Sequence, residues 1–477
     1  MKTKKIVALV LSMAMVLGVV AACKTTETSG SDSSAATSAS ADSSATEDST
    51  TQQAADLEGF TAVALAENVT DKEDGDLLVW GWNEDPLEKL IGNAEKGLTG
   101  YYSGTNMTKD NYATTPSQGG AYRNALKIAL SAGEGAPDIY FAEADYIKAF
   151  MTSSGAKAVN ELGIDYSELK DMYNYVLQTG ADSNGVIRAL SWECNPAGVW
   201  YNRKLAQQYL GSSEPADVAK FFESWDAFLD TARKINTDSQ GKVKAIASIA
   251  DIQMPYFNSR STGWVVNGAL NIDSKINDYL DFGKTLKQEG LTFDVAQWGA
   301  DGTWAAGSTN DTVLSYFGPT WLGVFSLGLR GDNNAAINDN VWGICAAPNN
   351  YFWGGTWIVA SPYCDRDATA AQMMRDLCTN TKNLENNASN ANFVNNIPVM
   401  EAAAANKDFS FGFLGGQNPF EVLNPMAKDI NASIMSAYDG QIKDEFNAIA
   451  EDYFDGKISS TDEVATQLEA AVEDILG

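Results

Sequence analysis

Residues 123–141 read Arg-Asn-Ala-Leu-Lys-Ile-Ala-Leu-Ser-Ala-Gly-Glu-Gly-Ala-Pro-Asp-Ile-Tyr-Phe. Arg123 to Ser131 reads as the end of a helix carrying Leu126, Ile128, Ala129 and Leu130, and Pro137 to Phe141 as a short buried strand. Upstream, Asp76-Leu-Leu-Val-Trp80 reads as another buried strand. Strand, helix, strand is the opening of a βαβ unit and predicts the α/β class.

Outward from this unit the alternation continues. Ser224 is a cap for a helix whose apolar face is Trp225, Phe228, Leu229, Ala232 and Ile235. From Asp367 the text turns mostly helical. The closing helix, Val464 to Leu476, opens on a capping box of Ser460 with Glu463 and buries Val464, Leu468, Val472 and Ile475. No internal repeat is visible.

The chain has 477 residues, 44% hydrophobic and 20% charged, which suffices for two or three packed domains. With 33 Lys and Arg against 62 Asp and Glu, the net charge is −29, which repels polyanions, so no nucleic-acid partner is expected. The absence of histidine removes the commonest general base and metal ligand and every His-dependent nucleophile arrangement.

At the start, Lys2, Lys4 and Lys5 precede an apolar run from Ile6 to Ala22, too short to span a bilayer comfortably and right for an export signal. The run ends in Val20-Ala-Ala-Cys23, which is similar to the lipobox of bacterial lipoproteins; signal peptide and lipobox then span residues 1–23, with cleavage before Cys23 making it the mature N-terminus and the expected lipidation site. Residues 24–55 hold 23 Ser, Thr or Ala out of 32 and no aromatic, so a flexible stalk is expected over 24–56. Cys194, Cys345, Cys364 and Cys378 match no zinc spacing and read as buried small thiols, with a disulfide between two of them left open.

No phosphate-cradling loop is present, and the acidic string Asp71 to Asp76 lacks a complete calcium loop. Neither cofactor nor metal is expected. The twelve tryptophans carry more information, because many stand beside Gly, Pro or a carboxylate. A pyranose offers a flat C–H face that stacks on an aromatic ring and hydroxyls that bond carboxylates and amides. On that ground the candidate ligand residues are Trp82, Asn83, Glu84, Glu143, Asp145, Trp192, Glu193, Trp264, Trp304, Trp321, Trp353 and Trp357, with Trp225 and Trp342 assigned to the core. Glu143, Asp145 and Glu193 serve equally as hydroxyl acceptors or as a glycosidase pair, and spacing does not separate the two.

The Gly135-to-Tyr140 string, the segment Ala189-Leu-Ser-Trp-Glu-Cys-Asn-Pro-Ala-Gly-Val-Trp-Tyr-Asn202, the helix start at Trp225, Gly318-Pro-Thr-Trp321 and Gly354-Gly-Thr-Trp357 stand in an order that resembles the extracellular solute-binding proteins, family 1, of bacterial ABC sugar importers. The resemblance covers the chain beyond the stalk. It implies a two-lobe, periplasmic-binding-protein-like clamshell with hinge crossings and no catalysis. It also implies a carbohydrate ligand in the cleft, an ABC permease as partner, and a monomer lipid-anchored at the extracellular face of the cell membrane. Matching the order puts crossings near Ala189 to Pro196, Ser315 to Trp321 and Trp353 to Ser361. Lobe one is then 57–190 with 318–352, and lobe two 191–317 with 353–477. A surface glycoside hydrolase and a non-catalytic adhesion lipoprotein are the rival expectations.

Overall fold

The computed structural model describes residues 51–73, 77–83, 92–93, 98–99, 112–114, 120–299, 301–323 and 342–477. Cys23, most of the expected stalk, Asp76 and Glu84 lie outside the described residues.

Thr51–Gln53 (β1) pairs antiparallel with Ala64–Ala66 (β2), and Ala54 beside it is buried. The stalk expected to reach residue 56 therefore gives way to folded chain by Thr51. Composition registers how little a segment can bury, not whether a partner strand lies within reach of its backbone.

Five strands form the sheet of lobe one: Val79–Gly81 (β3), Tyr112–Thr114 (β4), Ile139–Glu143 (β5), Ala189–Leu190 (β6) and Thr356–Ala360 (β10). Their order is β4-β3-β5-β10-β6, with β3 parallel to β4 and β5, and β10 antiparallel to both its neighbours. Between β3 and β5 runs the helix Ala121–Ala132 (α1), completing the βαβ unit. The hydroxyl of Tyr122 lies 2.7 Å from the Phe141 carbonyl and 3.1 Å from that of Trp80, which pins α1 to both strands. Tyr122, Leu126, Ala129 and Leu130 are the buried residues of α1, whereas Ile128 is exposed, because that stripe at helical spacing leaves position 128 on the outer face.

A second sheet holds Gly198–Asn202 (β7) between Ser315–Gly318 (β8) and Trp342–Cys345 (β9), all antiparallel. Two apolar cores are present. One gathers Ile139, Phe141, Trp192 and Trp357 and takes in Trp200, Tyr316, Trp342 and Ile344 from one face of the second sheet; the other gathers Phe228, Trp264, Phe317 and Phe446. Two lobes result because each sheet is covered by its own helices. Trp225–Asp238 (α2) and Ser274–Gln288 (α3) pack in the second core, where Trp225 is half-buried and stacks 4.3 Å from Tyr256. Asp367–Cys378 (α4) packs in the first. Asp439–Phe454 (α5) and Thr461–Leu476 (α6) return to the second.

The caps follow the expected chemistry. Ser224 accepts from Ala227 N (3.1 Å) at α2 and Ser460 from Glu463 N (3.2 Å) at α6. The Glu463 carboxylate, however, turns to the amide and hydroxyl of Ser459 instead of closing the box on Ser460. All four described cysteines are free and buried.

The chain passes between sheets at 191–197 and 346–355, and again between Ala432 in the first core and Ile442 in the second. No crossing occurs at Ser315 to Trp321, since β8 and β9 flank β7 in one sheet. The sheets thus place 342–345 in lobe two and 356–360 in lobe one, the reverse of the expected allocation after residue 318. A fully buried strand and a hinge strand read alike, and the partner that distinguishes them is distant in sequence.

Gly343 of β9 faces Tyr201 of β7, and a Cβ added there would fall 2.2 Å from the tyrosine ring. That ring is fully buried and its hydroxyl donates to Ser213 O at 2.9 Å, so it has little room to retreat. Gly343→Ala should cost about 1–3 kcal/mol of stability through overpacking, read from urea unfolding.

Candidate functional site

The loop after α3 places Trp298 at the surface of lobe two, 53% exposed, with φ +63°. A bulky residue in the left-handed region costs on the order of 1–3 kcal/mol and persists only where its surroundings hold it. Trp298 rests on three further rings: Trp304 at 4.8 Å, Trp353 at 5.8 Å and Trp321 at 6.0 Å between centroids. Trp321 and Trp353 meet edge-on at 5.0 Å, and Trp321 Nε1 donates to the Trp353 carbonyl at 3.2 Å. One wall is thereby assembled from three separate chain segments.

This wall borders a cavity of about 650 Å³ lined by Trp298 and Trp353, by the amides Gln253, Gln297 and Asn447, and by Asp145, Asp294, Asp444 and Glu451. Its lining comes mainly from lobe two, with Asp145 contributed by lobe one. Next to it a second cavity, about 390 Å³, lies between Gly120, Arg123, Glu143 and Tyr146 of lobe one and Lys443 and Asp444 of α5.

Strand β5 ends on Glu143, at the carboxyl edge where α/β sheets offer their ligands. Its register partner on β10 is Thr356, whose amide donates to Glu193 Oε1 at 2.9 Å, so Glu143 and Glu193 share a neighbour. Burial, followed by repulsion from Asp145 and Glu193, pushes Glu143 up to about 8 despite the opposing Lys443. Lys443 Nζ meets Asp145 Oδ2 at 2.6 Å. Burial pulls the lysine down, but Asp145, Glu143 and Asp444 hold it above its ordinary value. A second ion pair joins Arg123 of α1 to Asp444 of α5 at 3.1 Å, so charged contacts tie the two lobes at this point.

Of the expected ligand residues, the structure brings Trp304, Trp321 and Trp353 into the aromatic wall, with Trp304 buried behind Trp298. Glu143, Asp145 and Glu193 gather at the lobe junction. Half-buried Trp82 and exposed Asn83 follow β3 at the same sheet edge, Trp82 lying 6.1 Å from Tyr122. Three tryptophans are not surfaces for a ring ligand in this conformation. Trp192 is 1% exposed with its edge on Phe141. Trp357 donates to Val176 O inside lobe one. Trp264 is enclosed by Phe257, Phe446 and Arg260 in lobe two. Each stands near Gly or Ser in sequence, yet each is buried by residues distant in sequence. The assignment of Trp342 to the core agrees with its complete burial. Sequence reasoning passed over Trp298, although Gln297-Trp-Gly299 meets the same criterion of a tryptophan beside glycine.

Among the described residues no group of three or more His, Cys, Asp or Glu is placed to hold a metal ion, and no helix is long and apolar enough to cross a membrane.

The family model of the bacterial extracellular solute-binding proteins matches residues 107–411, more than half of the chain. The chain belongs to that family. No curated protein matches this solute-binding protein in sequence. Its fold is that of a crystal structure of an extracellular solute-binding protein family 1 member, at TM-score 0.67 and 16% identity over 84% of this chain and 100% of the other. It is also similar to the ABC-transporter-associated binding protein of B. animalis subsp. lactis Bl-04, solved with β-1,6-galactobiose, at TM-score 0.61 and 18% identity over 83% and 97%. A third is the galacto-N-biose-/lacto-N-biose I-binding protein of Bifidobacterium longum, solved with lacto-N-biose, at TM-score 0.61 and 14% identity over 84% and 98%. The family and these fold neighbours are binding proteins. In this solute-binding protein two of the three junction carboxylates are already engaged, Asp145 by Lys443 and Glu193 by the Thr356 amide.

Proposed function

We propose that this solute-binding protein captures a carbohydrate between its lobes and hands it to an ABC permease, while held at the outer face of the membrane through a lipidated Cys23. The observation that carries the reading is the tryptophan wall, Trp298 with Trp321 and Trp353, standing over a cavity of about 650 Å³ whose lining also includes amides and carboxylates. Rings of that kind stack on the C–H face of a sugar, and amides and carboxylates take its hydroxyls. The sugars in the fold neighbours' structures support the same class. Closure would bring Glu143 and Asp145 of lobe one toward a ligand lying on the lobe-two wall, a hinge motion about the crossing segments.

The test is a glycan panel read by thermal shift and by intrinsic tryptophan fluorescence, with product analysis of the same mixtures. Ligand-induced stabilisation with a fluorescence change and no turnover is expected. Consumption of a glycan would replace this reading with a hydrolase, and no response to any mono- or oligosaccharide would remove the carbohydrate.

For the anchor, Cys23→Ser should leave a mature-sized domain that no longer sediments with membranes, because the diacyl group is what would hold it there. Retention of that variant in the membrane fraction would refute the lipid anchor.

A further inference from the structure

The tryptophan wall rests on one buried carboxylate. Asp251 is 3% exposed and belongs to the short 3₁₀ turn Ile249–Ile252 of lobe two. Its Oδ2 accepts from Ser248 N at 2.9 Å and Ala247 N at 3.2 Å, which fixes the carboxylate to its own turn. Its Oδ1 faces the site, accepting from Trp304 Nε1 at 2.7 Å and from Gln297 Nε2 at 3.1 Å. These two donors flank Trp298 in different ways. Gln297 is its chain neighbour, and Trp304 is the ring on which it lies. Trp298 itself holds the left-handed backbone conformation that a bulky residue keeps only under constraint.

We propose that Asp251 is the positioning residue of the binding wall: by holding Gln297 and Trp304 with one oxygen it sets the backbone and the ring face that Trp298 offers to the ligand. Asp251 touches no ligand in this scheme. The inference deepens the carbohydrate reading by naming what presents the stacking ring, and it rests on that reading only for its affinity readout. Charge and geometry both matter here, since four donors converge on two oxygens and only a carboxylate accepts on both sides. An asparagine would turn its NH₂ toward two N–H donors whichever way it flipped.

The experiment compares wild type, Asp251→Asn, Trp298→Ala and the double variant. In unliganded protein, acrylamide quenching attributable to Trp298 is the difference between each form and its Trp298→Ala counterpart. It should change markedly in the Asp251→Asn background. With a glycan identified in the panel, Asp251→Asn should weaken binding by about tenfold or more, and should add little once Trp298 is already Ala. An unchanged Trp298 quenching signal, or losses of affinity that simply add, would overturn the proposal. Should Asp251→Asn fail to fold, Gln297→Leu with Trp304→Phe removes the same two bonds from the donors' side and keeps a ring at position 304, and the same quenching criterion then decides. The quenching arm needs no ligand, so a protein that binds no sugar would remove the proposed function while leaving this inference decided on its own terms.

Discussion

Trp298→Ala is expected to weaken carbohydrate binding by about 1–3 kcal/mol, roughly a fivefold to 150-fold loss, and to leave the fold intact. The ring is 53% exposed and bears on its neighbours from one side, so its removal opens no enclosed void. Unfolding free energy should therefore fall by only about 0.5–1.5 kcal/mol, the scale of the ring contacts given up at an exposed position. Trp357→Ala should behave in the opposite way. That ring is 1% exposed in the core of lobe one with its Nε1 bonded to Val176 O, and truncation should cost about 3–5 kcal/mol of stability, mainly through the cavity it leaves. Calorimetric titration with a confirmed ligand and urea unfolding of both variants separate the two effects. Unchanged affinity in Trp298→Ala would show that the wall does not carry the ligand.

Glu143→Gln should abolish a pH dependence of stability. In the folded protein Glu143 is raised to about 8, by burial first and then by Asp145 and Glu193, against an ordinary value of 4.5. The folded chain thus keeps a proton that the unfolded chain has released, and unfolding releases it. Stability must fall as pH rises from about 4.5 through about 8, and below that window the group contributes no penalty. The loss at the upper end is on the order of a few kcal/mol, since buried carboxylates beside like charges carry shifts of this kind. Glutamine keeps the shape and has no charge to bury. The variant should match wild type near pH 4 and exceed it at pH 8 and above. Other groups titrate in the same window, Asp251 at about 6 and Lys148 at about 8 among them, so the difference between the two proteins is the quantity to follow across pH 4–9. A difference that does not vary with pH would refute the assignment. The lobe contact should respond as well, because Lys443, paired with Asp145, also faces Glu143.

How much of this was legible beforehand differs from element to element. The βαβ unit was readable from Arg123 to Phe141, because a strand that is fully buried and a helix with an apolar stripe leave local periodicities. Ser224 and Ser460 could be placed as caps from their own neighbourhoods, since a cap bonds within three residues. The exclusion of histidine chemistry and the lipobox pattern at Cys23 needed only the letters. The junction carboxylates were also within reach: Glu143 and Asp145 stand where a strand of an α/β sheet ends.

The tryptophans show where that stops. Trp192, Trp264 and Trp357 have the same kinds of neighbours in sequence as Trp298, Trp321 and Trp353, yet three are interior and three form a wall. The deciding contacts are Phe141 on Trp192, Phe446 on Trp264 and Val176 on Trp357, at sequence separations that no window captures. The allocation of segments to lobes after residue 318 failed for the same reason, because β8 and β9 are placed by their pairing with β7 and not by anything within them. The amino-acid sequence by itself determined the class of fold, the helix starts and the absence of His-based catalysis, all properties of composition or short range. Only the tertiary structure decided which rings face the cleft and which carboxylate holds them, because burial and hydrogen bonding belong to whichever distant residues the fold brings into contact.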